Sequence, residues 1–153
     1  MLEFPETFFR ILLATAFGAA IGFERERSHK SAGLRTNALV AMGASLITVI
    51  SLSAFSDNPL IDPTRIISNI IVGIGFIGGG AIIQQGQKIR GITTAATLWV
   101  VAAIGITIGM GFYREAVFSV LVVYFILTFL WLVEKKTGNK ILYQGLKEDE
   151  FEK

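Results

Sequence analysis

Cysteine is absent from the 153 residues, and histidine occurs once, at His29. The first absence excludes disulfides, thiolate metal sites and cysteine nucleophiles. The second excludes histidine clusters, and His29, set among basic residues between two apolar stretches, reads as a solvated bystander. Charge is scarce as well: Asp, Glu, Lys and Arg make up 17% of the chain against 52% hydrophobic residues, too little to cover an ordinary soluble surface. What charge there is lies almost entirely between five apolar stretches, Phe8 to Phe23, Ala38 to Phe55, Ile66 to Ile83, Ala95 to Ile108 and Ala116 to Val133.

A helix that crosses a bilayer needs roughly 17 to 25 mostly apolar residues. Four of the stretches reach that length with their flanking Gly, Ser and Thr, and the fourth, beginning at Ala95, is the short one. Lipid-exposed backbone has to satisfy its own hydrogen bonds, and these runs lack the alternation of barrel strands, so helices are the remaining choice. The predicted fold is all-α, a polytopic membrane bundle of about five transmembrane helices over residues 1–135, with a short polar cytosolic tail at 136–153. The N-terminus carries acids where a cleavable signal needs a basic region, so the first stretch is expected to stay as helix 1. With the N-terminus outside, eleven Lys and Arg fall on cytosolic segments (25, 27, 30, 35, 88, 90, 135, 136, 140, 147, 153) and only Arg65 and Arg114 on outer loops. The positive-inside rule then places the C-terminus in the cytosol of a plasma-membrane protein.

Pro5 suits the first turn of helix 1, which is expected to end near Glu24, and Asp62-Pro63 reads as an N-cap and first residue of helix 3. The inner segments ERERSHKSAGLRT and QQGQKIRGITT are expected as loops. Shifted by 58 residues, Lys30, Gly33, Thr36 and Ala38 fall on Lys88, Gly91, Thr94 and Ala96, and Gly22 on Gly80. This is either a duplicated hairpin of the kind found in some transporters or the likeness of two basic turns that each precede a helix.

Gly73, Gly75 and Gly78 have the GxGxxG spacing, but no strand precedes them and no acid follows about 20 residues on, so a dinucleotide site is rejected. Close helix approach explains these glycines better: Gly18 and Gly22, Gly75 and Gly79, and Gly105 and Gly109 are each four apart. Gly78 to Gly80 also suit a loosened helix end that exposes carbonyls to a cavity. Glu24, Arg25, Glu26 and Arg27 close helix 1, while helix 2 begins at Arg35, Thr36 and Asn37 and helix 4 at Thr93 and Thr94, after Arg90. Two helix N-termini with excess positive charge suit an anion such as phosphate, a nucleotide or a lipid headgroup. A cation such as Mg2+ would rely on Glu24 and Glu26 with Asn37 or carbonyls, and a purely structural charge cluster is the third reading. Arg10 is the charged side chain inside an apolar run, and such a charge is normally paired. Asp62 is its expected partner, ahead of Asp57 and Glu115. No nucleophile–base pair, closed metal site or cofactor motif is present, so an enzyme is not expected.

IGFERERSHKSAGLRTNALVAMGA, DPTRIISNIIVGIGFIGGGAII and IRGITTAATLWVVAAIGITIGMG, in that order, resemble the hydrophobic domain of the MgtC/SapB family of bacterial inner-membrane proteins, over about Arg10 to Val133. The resemblance carries Arg10, Glu24, Arg25, Glu26, Gly33, Arg35, Thr36, Asn37, Asp62, Arg65, Gly75, Gly78, Arg90, Gly91, Thr93, Thr94 and Trp99 onto the family pattern. It implies a helical inner-membrane protein linked to magnesium limitation, acid stress and survival in host cells. Such proteins are thought to act by modulating other membrane proteins, including the proton-driven ATP synthase. Longer members continue into a soluble C-terminal domain, whereas about 20 polar residues follow the last stretch here. The expected partners are membrane lipids, further copies of the chain, other inner-membrane proteins and either Mg2+ or an anion, with no nucleic acid. Modulation of membrane machinery through helix faces and ion transport through the repeat interface are the two function classes that remain.

Overall fold

A computed structural model describes residues 4–54, 62–86, 88–133 and 136. Its elements are α1 (Phe4–Arg27), α2 (Leu34–Ala54), α3 (Thr64–Gly80), β1 (Ile83–Gln85), β2 (Lys88–Arg90), α4 (Ile92–Gly109) and α5 (Tyr113–Phe125). The all-α membrane bundle expected from the apolar runs is the observed fold. Four helices are long and apolar enough to cross a membrane: α1, α2, α4 and the run Tyr113–Val133 that contains α5. Against expectation, the apolar run too short to count as a span is that of α3, with 17 residues, and not that of α4, with 18. Ile92, Thr93 and Thr94 wind into α4, whereas α3 stops at Gly80 because the chain turns there into a hairpin.

The chain forms two compact units, Met1–Val120 and Leu121–Lys153. In the first, α4 is the most enclosed element, with Leu98, Val101, Ala102, Ile104 and Ile108 all at most 2% exposed. Small residues let α2 approach both α4 and α1 closely, as expected where lipid removes the hydrophobic drive between helices. A methyl on Gly105 would meet Ala44 Cβ at 3.0 Å, one on Gly109 would meet Thr48 Cβ at 2.7 Å, and one on Gly18 would meet Ala41 Cβ at 2.7 Å. Ile74 of α3 joins Ala44, Ala102 and Ile106 in an apolar cluster flanked by Val40, Ile67, Ile70 and Ile71. Thr15, Thr48, Thr97 and Thr107 each donate to the carbonyl four residues earlier, which satisfies their hydroxyls inside the helix.

The α1–α2 turn is closed from both sides. Lys30 N–H donates to Arg25 O at 2.9 Å, His29 and Ala32 take left-handed φ of 53° and 57°, and Glu26 Oε2 accepts from Leu34 N–H at 3.1 Å, capping α2. Asp62 Oδ1 accepts from Thr64 N–H at 2.9 Å and from its hydroxyl at 2.7 Å, so it caps α3 with Pro63 in the first turn. The second inner segment, expected as a loop, is an antiparallel hairpin with Ile83 opposite Arg90, Gln84 opposite Ile89 and Gln85 opposite Lys88. Gly91, at φ 91°, lets β2 bend into α4, since any side chain there would run into the Ala81 carbonyl. In the second unit, Ile126–Leu130 winds as a π-helical turn, and Phe125, just before it, stacks on Phe129 with ring centroids 4.8 Å apart. The expected tail, 136–153, lies outside the described residues except Lys136.

Candidate functional site

α1 and α4 run antiparallel and are joined near both ends by an arginine of α1. Arg10 Nη1 donates to Gly109 O at 2.7 Å, and Arg25 Nη2 donates to Thr94 Oγ1 at 3.2 Å. Residues 10 and 25 are as far apart on α1 as residues 94 and 109 are on α4, about 22 Å along each axis at the α-helical rise. Each end presents a charge within a span, where an ionisable residue points to function or to a matched partner.

At the Arg10 end the matching is complete. All three guanidinium nitrogens are bonded: Nε to Glu6 Oε1 at 3.1 Å and to the Tyr113 hydroxyl at 3.2 Å, Nη2 to Glu6 Oε1 at 2.9 Å, and Nη1 to Gly109 O. The Tyr113 hydroxyl donates to the same Glu6 oxygen at 2.6 Å. The expected Arg10–Asp62 pair is therefore corrected: the acid is Glu6, one turn earlier on the same helix. Asp62 is occupied in capping α3, and the Thr64 hydroxyl and N–H hold its carboxyl below the usual carboxylate range. Asp57 lies outside the described residues. The Glu6–Arg10 spacing of four, one turn of the same helix, is the signal in the sequence that marks this pair. Gly111, at φ 87°, leaves room for the guanidinium, because a methyl there would come within 3.0 Å of Nη2.

The other end is buried but only partly matched. Glu24, Arg25, Asn37 and Thr94 are 5%, 4%, 0% and 4% exposed. Ser28 donates to Glu24 Oε1 at 2.7 Å, Ser31 and Thr94 share a hydroxyl bond of 3.0 Å, and the Asn37 amide donates to the carbonyls of Ala32 and Gly33. Glu24 Oε2, Arg25 Nε and Asn37 Oδ1, all buried, have no hydrogen-bond partner among the described residues. Native structures keep such orphans rarely, and each calls for an explanation.

Arg35, Thr36, Arg90 and Thr93, expected to line one inner pocket with these residues, are exposed, as is Glu26. The reason is helical phase: Thr36 and Thr93 each precede a buried residue, Asn37 or Thr94, and one residue turns a helix by about 100°. The glycines divide in a similar way. Gly18, Gly22, Gly105 and Gly109 face backbone or side chains of neighbouring elements, and Gly78 lies over Ala95 at ordinary contact distance. Gly75 and Gly79, expected at a helix contact, have nothing within 4 Å of where a side chain would begin, because that face of α3 points away from α2 and α4. Among the described residues no group of three or more His, Cys, Asp or Glu is placed to hold a metal ion.

The model of the MgtC family matches residues 11–136. Protein MgtC of Salmonella typhimurium LT2 is 42% identical over 123 residues, which are 80% of this chain and 51% of that protein. YhiD of Escherichia coli K12, named a putative magnesium transporter, is 42% identical over 119 residues, 74% of this chain and 55% of its own length. Protein slr0014 of Synechocystis is 42% identical over 122 residues, 80% of this chain and 51% of its own length. The chain thus spans about half the length of these relatives. No solved structure matches it.

Proposed function

The chain belongs to the MgtC family, and from that premise we propose that it serves magnesium homeostasis from within the plasma membrane by docking on other membrane proteins and on copies of itself. The supporting observation is a groove of about 560 Å³ between α2 and α3, whose lining includes Leu39, Gly43, Asn69, Gly73 and Ile77. Gly43 and Gly73 leave open space there, and the exposed Asn69 amide makes no hydrogen bond among the described residues. Glycine permits close helix approach, and an amide facing lipid gains from a polar partner on that helix. Gly75, Gly79 and Phe76, the last 88% exposed, extend the uncovered surface. The same surface suits self-association as well as a foreign helix.

Ion transport is the second reading. The orphaned Glu24, Arg25 and Asn37 atoms favour it, and the YhiD name belongs to it; the lack of a carboxylate cluster among the described residues speaks against a dedicated Mg2+ cage. In both readings the N-terminus lies outside and the α1–α2 turn and the hairpin inside. A cell lacking its own copy tests the choice. The docking reading expects Gly43→Leu with Gly73→Leu to abolish rescue of growth in low magnesium while the purified variant stays folded, and it expects no Mg2+ flux from the wild type in liposomes. Flux that is lost on Glu24→Gln while the groove variant still rescues growth would overturn it. Because the chain has no cysteine, Arg114→Cys and Gln84→Cys test orientation: only the first should label from outside.

A further inference from the structure

The β1–β2 hairpin sits at the Arg25 end of the bundle, joined to α3 through Ala81 and Ile82 and to α4 through Gly91. Residues opposite each other in an antiparallel pair share a face, so Lys88, Arg90, Ile83 and Gln85 lie on one side and Ile89 and Gln84 on the other. Every one of the six is exposed. Ile83 and Ile89 are each 57% exposed, and Ile82 and Ile92, which flank the hairpin, are 41% and 59% exposed. Two strands of three residues with both faces bare are not stable in water on their own. Neither the Lys88 nor the Arg90 side chain bonds any described residue, and the sequence contains no acid from Pro63 to Arg114. The hairpin cannot leave the membrane surface either, since three-residue strands reach only about 10 Å beyond the helix ends.

We propose that the basic face of this hairpin is a binding site for anionic phospholipid headgroups, with Lys88 and Arg90 on the phosphates and the surrounding isoleucines in the acyl boundary. Burying the aliphatic part while the charge reaches the phosphate is the ordinary behaviour of lysine and arginine at a bilayer surface. The site is an exposed strand face and not the buried pocket between helix starts, and it is independent of whether the chain docks or transports.

The test uses the full chain in nanodiscs of zwitterionic lipid doped with phosphatidylglycerol, and native mass spectrometry of the lipids retained on release. Phosphatidylglycerol should be enriched over the zwitterionic lipid, and Lys88→Gln with Arg90→Gln should lower that enrichment roughly 10- to 30-fold. Arg27→Gln with Lys30→Gln removes the same charge from the α1–α2 turn and should lower it at most threefold. An environment-sensitive dye on Ile83→Cys, on the same face as Lys88 and Arg90, should emit as in an apolar interface. Equal losses from the two double variants would replace the hairpin site with a diffuse basic rim. Displacement of the lipid by inorganic phosphate or ATP would make it a free-anion site. No enrichment, or water-like dye emission, would also overturn the proposal.

Discussion

Both ends of the α1–α4 pair use an arginine of α1 against α4, yet the Arg10 end satisfies each guanidinium nitrogen while the Arg25 end leaves Arg25 Nε and Glu24 Oε2 without hydrogen-bond partners among the described residues. A fully bonded buried charge fixes geometry, because every alternative position loses several charge-assisted bonds at once. A partly bonded one leaves capacity for something else, whether water, an ion or a moved side chain. The contrast assigns a structural role to the Arg10 end and leaves the Arg25 end as the place where binding or rearrangement has the least to overcome.

The strongest challenge to this contrast is Arg10→Leu. It strands the Gly109 carbonyl and should lower stability by about 3 kcal/mol, measured by denaturant unfolding in detergent, since bonds to charged groups are worth about 1.5 to 3 kcal/mol each and do not add fully. Glu6→Gln should cost much less in the Arg10→Leu background than in the wild type, and Asp62→Asn should cost the same in both. Coupling to Asp62 instead would restore the partner first expected from the sequence.

Glycine variants come next, because each end also depends on close helix approach. Gly109→Ala, forced against Thr48, and Gly22→Ala, forced against the Gly33 carbonyl at 2.7 Å, should each cost about 1 to 3 kcal/mol by overpacking. Gly75→Ala should be neutral or should stabilise by up to about 1 kcal/mol through helix propensity, as nothing opposes its methyl in the monomer. A large loss at Gly75 would mean that the purified protein already has a second helix on that face.

Thr94→Val should cost the least of the destabilising changes, about 1 kcal/mol, because it removes one bond to Arg25 and one to Ser31 at an end whose polar atoms are already incompletely matched. A loss as large as that of Arg10→Leu would show that the two ends are equivalent after all.

The sequence made the helices legible because apolar run length decides them in a bilayer, and it made Arg10 legible because an isolated charge in such a run has few alternatives. Asp62 as the cap of α3 followed from local chemistry. What it hid was phase and partnership. Asn37 and Thr94 are buried while Thr36 and Thr93 are not, and no weak amphipathicity on these nearly all-apolar helices separates neighbours 100° apart. The hairpin escaped because six residues, four of them polar or basic, lack any alternation strong enough to outweigh a loop reading. Gly75 and Gly79 carry the same spacing as Gly105 and Gly109, and spacing does not reveal whether a neighbour stands opposite.

The distance of about 22 Å between the two arginines has a consequence for the lipid itself. An ordinary hydrocarbon core is about 30 Å thick, and Arg10 is tied to Gly109 O by its own guanidinium, so it is not free to stretch outward. The apolar surface of α1 continues past the arginine, since Phe4, Phe8 and Phe9 lie outward of it and are all exposed. The closed Arg10 network thus lets a charge sit below the bilayer boundary with no headgroup to pair with, and the lipid beside it need not bend inward to reach it.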